Sequence, residues 1–362
     1  MARPHMAIYS LVALLLSPAF QCANPFSAEA QTKPSVESED RKHAIELYGQ
    51  RKFADASKLL RKVVKENKSD EEGWYYLGLS LVHQDKGTKD ASKAFEAALK
   101  LRPNFAAARA GLSYSLLLRN KPNDAIHEAQ AALAIDPSIV EAHYIIGVVR
   151  MNSGNAEDAL TEAKEANRLN PQFPAAYLLR SRALLVVYAK KSARNISRPT
   201  PPSPEQRVER RKERAESAAV FKEAAESLET YLGLNPVDSS TGIWREQLAT
   251  LKIFASYGAE KPNIAEPISY GDDVTTKVRV LEKPEPVYTE PARQSGVTGT
   301  VVLRAVFAAD GTIRHILVLN GLPNGLTEQA LNAARRIKFV PATIDGRPVS
   351  IFIQLEYGFN LY

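Results

Sequence analysis

Three prolines set a register of 34 residues along this chain of 362 residues. Pro103, Pro137 and Pro171 are separated by 34 positions, and two sets of alanines keep the same step. The alanines are Ala91, Ala125 and Ala159, followed by Ala98, Ala132 and Ala166. Proline ends a helix because it lacks the N–H that would continue the hydrogen-bond ladder. The register therefore predicts repeated pairs of helices that cross closely at the alanines.

Further positions in this region share the pattern of one known repeat family. They are Trp74, Leu77-Gly78, Phe95, Leu112, Ala129, Ile146-Gly147 and Gly154. Together with the 34-residue register they resemble tetratricopeptide repeats. The resemblance implies an α-helical solenoid in which each two-helix unit buries its apolar face against its neighbours.

The repeat region is predicted to extend over residues 39–258. A degenerate repeat with Leu59 and Leu60 opens it, and a fifth repeat starts at Pro174. Prolines between Ser197 and Pro204 favour extended backbone and interrupt this repeat. We therefore expect a disordered, basic and proline-rich insertion at about 189–215, with a last helix at about 242–256 capping the stack.

The N-terminus is typical of a signal peptide over residues 1–30, followed by a tether at 31–38. Arg3 precedes an apolar run of ~14 residues, and Ala28-Glu29-Ala30 offers a cleavage site. The run is shorter than the ~20 residues that span a bilayer. Two alternatives stay open, namely an uncleaved anchor and a lipoprotein attached through Cys22.

Charge and cysteine content exclude several classes of protein. The net charge of +6 arises mainly from the segment Ala189–Arg214, where Glu209 and Glu213 interleave with the basic residues. This segment is expected to form a solvated helix face or to contact anionic lipid headgroups. Cys22 is the single cysteine, so a disulfide framework is excluded, and nucleic acid is not an expected partner.

The last part of the chain changes from a helical to a strand pattern. Gly299–Phe307, Thr312–Asn320 and Val349–Tyr357 are predicted strands, and Leu326–Ile337 has the spacing of one helix face. Asp310-Gly311 and Asp345-Gly346 are turn pairs, since glycine readily adopts the positive φ of tight hairpins. Residues 284–362 therefore form a separate module, preceded by a linker at 259–283.

Specific motifs place this module close to a known family. They are Pro284-Glu-Pro-Val-Tyr288, Ala292-Arg293, Gly296, Gly299-Thr-Val-Val302, Ala334-Arg-Arg336, Phe339, Pro341-Ala342 and Asp345-Gly-Arg-Pro-Val349. They resemble the TonB C-terminal domain family, with a departure at Tyr288-Thr-Glu-Pro291. The resemblance implies a small α+β domain in which helices back a three-stranded antiparallel sheet. It also implies binding of a short peptide from an outer-membrane receptor by strand addition.

Two sets of residues are candidate protein-binding sites. The first is the last strand, whose edge would pair with a partner strand through Ser350, Ile351, Phe352, Ile353, Gln354 and Leu355. The second is the groove of the repeats, which the family geometry lines with Tyr75, Leu79, Tyr114, Tyr144, Val148 and Met151. The alternatives are that the strand completes the core and that the groove residues pack between repeats.

Sequence motifs for catalysis are missing, and the histidines outside the leader are scattered without ligand spacing. We therefore predict a protein that is not an enzyme and needs no cofactor or metal. The interpretation is a periplasmic, exported bacterial scaffold that binds proteins or peptides, including an outer-membrane receptor. The alternative is a TonB-type energy transducer anchored in the inner membrane, and a homodimer is a further state that the sequence leaves open.

Overall fold

The computed structural model describes residues 39–84, 87–193, 204–235, 241–257, 268–271 and 273–361. The predicted signal peptide, its alternatives at Cys22, and the tether at 31–38 lie outside the described residues. The described residues fall into two compact units, one ending at Ala176 and one beginning at Tyr177.

The first unit consists of helix pairs that follow the 34-residue register. Its helices are α1 (Glu39–Gly49), α2 (Phe53–Glu66), α3 (Glu71–Val82), α4 (Thr88–Leu101), α5 (Ala106–Leu118), α6 (Pro122–Ile135), α7 (Val140–Asn152) and α8 (Ala156–Leu169). Each odd-numbered helix packs against the next helix in the chain. The six alanines of the register are fully buried at these crossings. The predicted helical repeat fold is confirmed.

Small residues let one aromatic ring fill the space between two repeats. Phe95 on α4 is fully buried. An ideal Cβ on Gly78 would lie 2.6 Å from the Phe95 ring, and one on Gly111 would lie 2.4 Å from it. Both distances are too short for a real contact. Glycine at these two helix positions therefore admits the ring.

A polar contact also repeats with the register. The Arg109 guanidinium donates to Glu128 at 2.9 Å and to the Pro103 carbonyl at 3.3 Å. One repeat later, His143 replaces the arginine. Its Nδ1 lies 2.7 Å from Glu162 and its Nε2 lies 3.1 Å from the Pro137 carbonyl. The contact ties the start of an odd-numbered helix to the next helix and to the preceding turn.

Three longer helices open the second unit. They are α9 (Pro174–Ala193, of which Tyr177 onward belongs to this unit), α10 (Pro204–Leu234) and α11 (Thr241–Ser256). Contacts between α9 and α10 include Ser181 Oγ donating to the Ala224 carbonyl at 2.8 Å and Arg180 donating to Glu223 at 2.9 Å.

The prediction of a disordered insertion at 189–215 is wrong for its described parts. Residues 189–193 continue α9, and residues 204–215 begin α10. Pro204 suits the first helical position, where a backbone N–H has no partner within the helix. Lys191 on α9 also pairs with Glu216 on α10 at 3.0 Å. Part of the charged segment therefore joins two helices, and residues 194–203 lie outside the described residues.

The remainder of the second unit contains a five-stranded mixed sheet, a two-stranded sheet and two short helices. Its strands are β1 (Ile268–Ser269), β2 (Arg279–Glu282), β3 (Gly299–Phe307), β4 (Ile313–Asn320), β5 (Lys338–Val340), β6 (Ala342–Ile344) and β7 (Arg347–Phe359). The helices are α12 (Glu290–Gln294) and α13 (Leu326–Ala334). The main sheet has the order β1-β7-β3-β4, β6 pairs with β7, and β2 pairs with β5.

The predicted α+β fold is confirmed, with more strands than the three that the sequence predicts. The three predicted strands form the antiparallel centre β7-β3-β4. The predicted linker at 259–283 contributes β1, which runs parallel to β7, and β2, which pairs with β5. The linker prediction is therefore corrected for its described part, because its short strands are fixed by backbone pairing to distant segments.

The sheet is covered on both faces within this unit. One face carries Val301, Leu303 and Phe307, which share a core with Leu326 and Ala330 of α13. The opposite face presents Phe352 of β7 to the helices, and its ring centroid lies 4.9 Å from that of Phe254 on α11. Access to the sheet is therefore left to its two edges.

Candidate functional site: the edge at strand β7

The edge at β4 is closed by one side chain. The Gln247 amide on α11 donates from Nε2 to the Ile316 carbonyl at 3.1 Å, and its Oε1 accepts the Val318 N–H at 2.8 Å. Gln247 is only 5% exposed. The amide reproduces the donor and acceptor of a neighbouring strand. A partner strand cannot pair with this part of β4 unless α11 moves away.

Among the described residues, the second side of β7 is paired with another strand only near the beginning of β7. On one side β7 pairs with β3 from Ile351 to Phe359. On the other side β1 pairs with Ser350 and Ile351, and β6 pairs with residues 347–349 at the start of the strand. Among the described residues, no strand pairs with this second side from Phe352 onward. An unpaired strand side offers backbone donors and acceptors to an incoming strand.

The free part of β7 is held firmly by its neighbours. Tyr357 points into the core, and burial raises the pKa of Tyr357 to about 12. The Lys283 ammonium lies 4.7 Å from the Tyr357 ring and donates to the Glu356 carbonyl at 3.0 Å. Lysine next to an open strand discourages unspecific pairing between sheets. Tyr357 therefore fixes this part of β7 at its core face, and Lys283 fixes it at one backbone carbonyl.

The residues predicted for the last strand separate into two groups. Ser350 and Ile351 lie beside β1, and Ser350 Oγ accepts the Ala309 N–H at 3.0 Å. Residues 352–355 lie in the part without a second strand partner. Of these, Leu355 is buried in the core, whereas Phe352 and Gln354 lie on the opposite face and are partly exposed.

The residues predicted for the repeat groove are mostly buried. Five of the six are at most 7% exposed, and these are Tyr75, Leu79, Tyr114, Tyr144 and Val148. Met151 alone of the six is partly exposed. The Tyr144 ring packs against Phe173 with centroids 5.4 Å apart, and Tyr75 packs against Phe105 at 4.9 Å. Because these rings fill the space inside the repeats, the prediction that all six line an open groove is wrong.

Sequence reasoning missed Gln247 and Lys283, the two side chains that distinguish the edges. Gln247 contacts a carbonyl 69 positions along the chain, and Lys283 contacts one 73 positions away. A polar residue on a helix or in a predicted linker gives no local signal for such contacts. Their roles follow only from the tertiary structure.

The described part of the chain contains neither a candidate metal site nor a candidate membrane-spanning helix. Its histidine, cysteine and acidic side chains form no group of three that could hold a metal ion. None of the described helices combines the length and apolar character needed to cross a membrane.

Comparison with known proteins assigns the two regions to two families. Residues 41–104, 87–138 and 111–174 match a tetratricopeptide repeat model. Residues 284–361 match the C-terminal domain of the Gram-negative bacterial TonB protein. The chain joins tetratricopeptide repeats to a TonB-type C-terminal domain. Domains of these two types are typically non-catalytic and bind proteins.

Individual relatives share only parts of this arrangement. Protein TonB of Vibrio cholerae serotype O1 is 29% identical over 105 residues, which are 27% of this chain and 43% of that protein. The chain therefore spans less than half the length of this relative. The crystal structure of PilW, a type IV pilus biogenesis factor, aligns with a TM-score of 0.45 and 17% identity, covering 62% of this chain and 90% of PilW. A thermophilic TPR protein from Thermus thermophilus aligns with a TM-score of 0.43 and 16% identity, covering 60% of this chain and 98% of that protein.

Proposed function

We propose that this chain is an exported bacterial envelope protein that binds a partner by adding the partner's strand to β7. The observation that carries the proposal is the contrast between the two sheet edges. Gln247 occupies the edge at β4, whereas β7 has no second strand partner in the described structure from Phe352 onward. Backbone pairing would supply affinity, and side chains such as Phe352 and Gln354 would supply selectivity.

The partner is proposed to be an extended segment of an outer-membrane or periplasmic protein. The match of residues 284–361 to the TonB C-terminal domain supports this choice. The repeat unit would act as a scaffold for a second partner. The proposed location is the periplasm, with a cleaved leader at residues 1–30.

Site-specific cross-linking in cells tests the proposal. A photoreactive amino acid replaces Gln354 on β7 or, as the matched control, Asn320 at the end of β4. We expect one envelope protein to cross-link from position 354 and not from position 320. A synthetic peptide of the cross-linked segment should then bind the purified full chain and shift the backbone amide resonances of residues 352–359. Equal cross-linking from both positions, or a peptide that shifts other residues, would contradict strand addition at β7.

The similarity to protein TonB of Vibrio cholerae supports a second candidate function, that of an energy transducer. That function requires the N-terminus to remain in the inner membrane as an anchor. The N-terminal residue of the protein from cells separates the two candidates. A chain that starts near Gln31 in the periplasmic fraction supports the scaffold, and an intact leader in the inner-membrane fraction supports the transducer.

A further inference from the structure

Arg304 is a buried cation that is surrounded by aromatic rings. It lies on β3, on the sheet face that α9, α10 and α11 cover. Four aromatic rings surround its guanidinium carbon at 5.1–5.8 Å, and these belong to Tyr188, Phe221, Phe254 and Phe352. Nη1 donates one hydrogen bond to the Tyr188 hydroxyl, and Nε is buried without an acceptor. Among the described residues, no carboxylate lies within ion-pair distance of Arg304.

An uncompensated charge of this kind is costly. Burial lowers the pKa of Arg304 to about 10, so the side chain still carries its charge at neutral pH. The cation–π contacts with the surrounding rings offset only part of the hydration energy that the guanidinium loses on burial, because these contacts are weaker than the interaction with a paired carboxylate. An apolar side chain of similar size would fit the aromatic surroundings better. The arrangement is therefore explained more readily by an anion that binds there than by packing.

Arg304 lines a cavity of about 410 Å³ within the second unit. Four cationic side chains line it, namely Lys191, Arg210, Arg214 and Arg304, against two acidic ones, Glu213 and Glu216. Lys191 already pairs with Glu216 at 3.0 Å, and Arg214 pairs with Asp273 at 3.1 Å. The lining of the cavity therefore carries a net positive charge, and Arg304 takes part in neither of these two ion pairs.

The remaining walls are largely apolar and aromatic. Val187, Val220 and Phe221 contribute from the helix pair, and Tyr257, Tyr270 and Phe352 contribute from the other segments. The Arg214 guanidinium lies 3.8 Å from the centre of the Tyr270 ring and so packs against this side of the cavity. The volume is sufficient for a ligand of about ten to fifteen non-hydrogen atoms by the usual size of small-molecule sites.

We propose that this cavity binds a small amphipathic carboxylate, with the carboxylate at Arg304 and an apolar body against the aromatic walls. A hydrogen bond between a guanidinium and a carboxylate is charge-assisted and therefore strong. Arg304 uses Nη1 for Tyr188, and its Nε has no surface in contact with the cavity, so among the described residues Nη2 is the donor that remains for a ligand. The cavity shares Phe352 with the edge of β7, but binding of a carboxylate at Arg304 does not require the proposed strand addition.

Calorimetric titration of the full chain with 3-phenylpropionate tests the proposal. We expect saturable binding with one site per chain. The neutral 3-phenylpropanamide, which has the same body, should bind about tenfold to a hundredfold more weakly because it lacks the charge-assisted hydrogen bonds. Inorganic phosphate, which has the charge without the body, should also bind more weakly. Equal affinity for phosphate, or no binding of 3-phenylpropionate at millimolar concentration, would overturn the proposal.

Variants locate the binding at Arg304. Arg304→Met should lose 3-phenylpropionate binding by at least about tenfold while raising the melting temperature, because it removes an unpaired buried charge. The matched control is Arg335→Met, which alters an exposed arginine paired with Glu246 at 3.1 Å and should change neither property appreciably. Ala218→Trp, which fills the cavity and retains Arg304, should also abolish binding. Unchanged affinity in both cavity variants would overturn the proposal.

Discussion

The two units of this chain differ in whether the groups suited to binding are buried by packing or are left without a partner. The repeat unit closes over its tyrosines, so that Tyr144 is 1% exposed and packs on Phe173. Among the described residues of the C-terminal unit, one side of β7 has no strand partner from Phe352 onward and Arg304 has no acidic partner. A tyrosine at a repeat position therefore indicates packing here. The two proposed binding sites instead use backbone and charged groups that have no partner among the described residues.

Phe95 should give the largest effect on stability, because the repeat unit is built around filled space. Phe95→Ala removes a fully buried ring and should lower the free energy of unfolding by about 3–5 kcal/mol. Urea unfolding measures the change. The control Leu101→Ala alters a side chain that is 42% exposed and should cost under about 1 kcal/mol. Similar losses in the two variants would show that the repeat interior is not closely packed.

Gln247 should give the next effect, and it tests why the two edges differ. Gln247→Met leaves the Ile316 carbonyl and the Val318 N–H without their partner, at a cost of about 2 kcal/mol. The amide of Val318 should exchange faster with solvent, and the chain should self-associate more readily through β4. Unchanged exchange at Val318 would contradict the role assigned to Gln247.

Gly111 offers a smaller test of the repeat unit. A Cβ at this position would lie 2.4 Å from the Phe95 ring, so Gly111→Ala should destabilise the chain by about 1–2 kcal/mol. The matched control is Gly233→Ala on α10, where a Cβ meets nothing within 4 Å. Alanine there should be neutral or stabilising by under about 1 kcal/mol. Equal changes in the free energy of unfolding for the two variants, measured with urea, would contradict the close packing of Phe95 against Gly111.

His143 should give the smallest effect, and pH reveals it. The hydrogen bond with Glu162 raises the pKa of His143, despite partial burial. A raised folded-state pKa stabilises the fold below the ordinary value of 6.5, and this contribution is lost as the pH rises through the folded-state pKa. His143→Arg, which copies Arg109 of the preceding repeat, should remove this pH dependence. Stability curves that stay parallel between the variant and the parent chain above pH 6.5 would contradict the assignment.

The local sequence pattern is sufficient to predict much of the fold. The alanines of the 34-residue register and the turn pair Asp345-Gly346 act through neighbours in the same element or hairpin. The contacts of Gln247 and Arg304 join residues 69 and 116 positions apart, and sequence periodicity carries no information about them. The strand β1 has two residues, which is too short for any alternation to show. The described parts of the charged segment are helical, and sequence pattern does not reveal that Lys191 pairs with Glu216 across two helices.

Residue-resolved amide hydrogen exchange of the full chain tests whether the edge of the sheet is closed at β4 and open to a partner strand at β7. We predict that the Val318 amide is protected, and that alternate amides between Phe352 and Phe359 exchange fast although their neighbours, bonded to β3, exchange slowly. Uniform protection of all amides along this part of β7 would contradict the claim, because it would mean that its second side is already occupied.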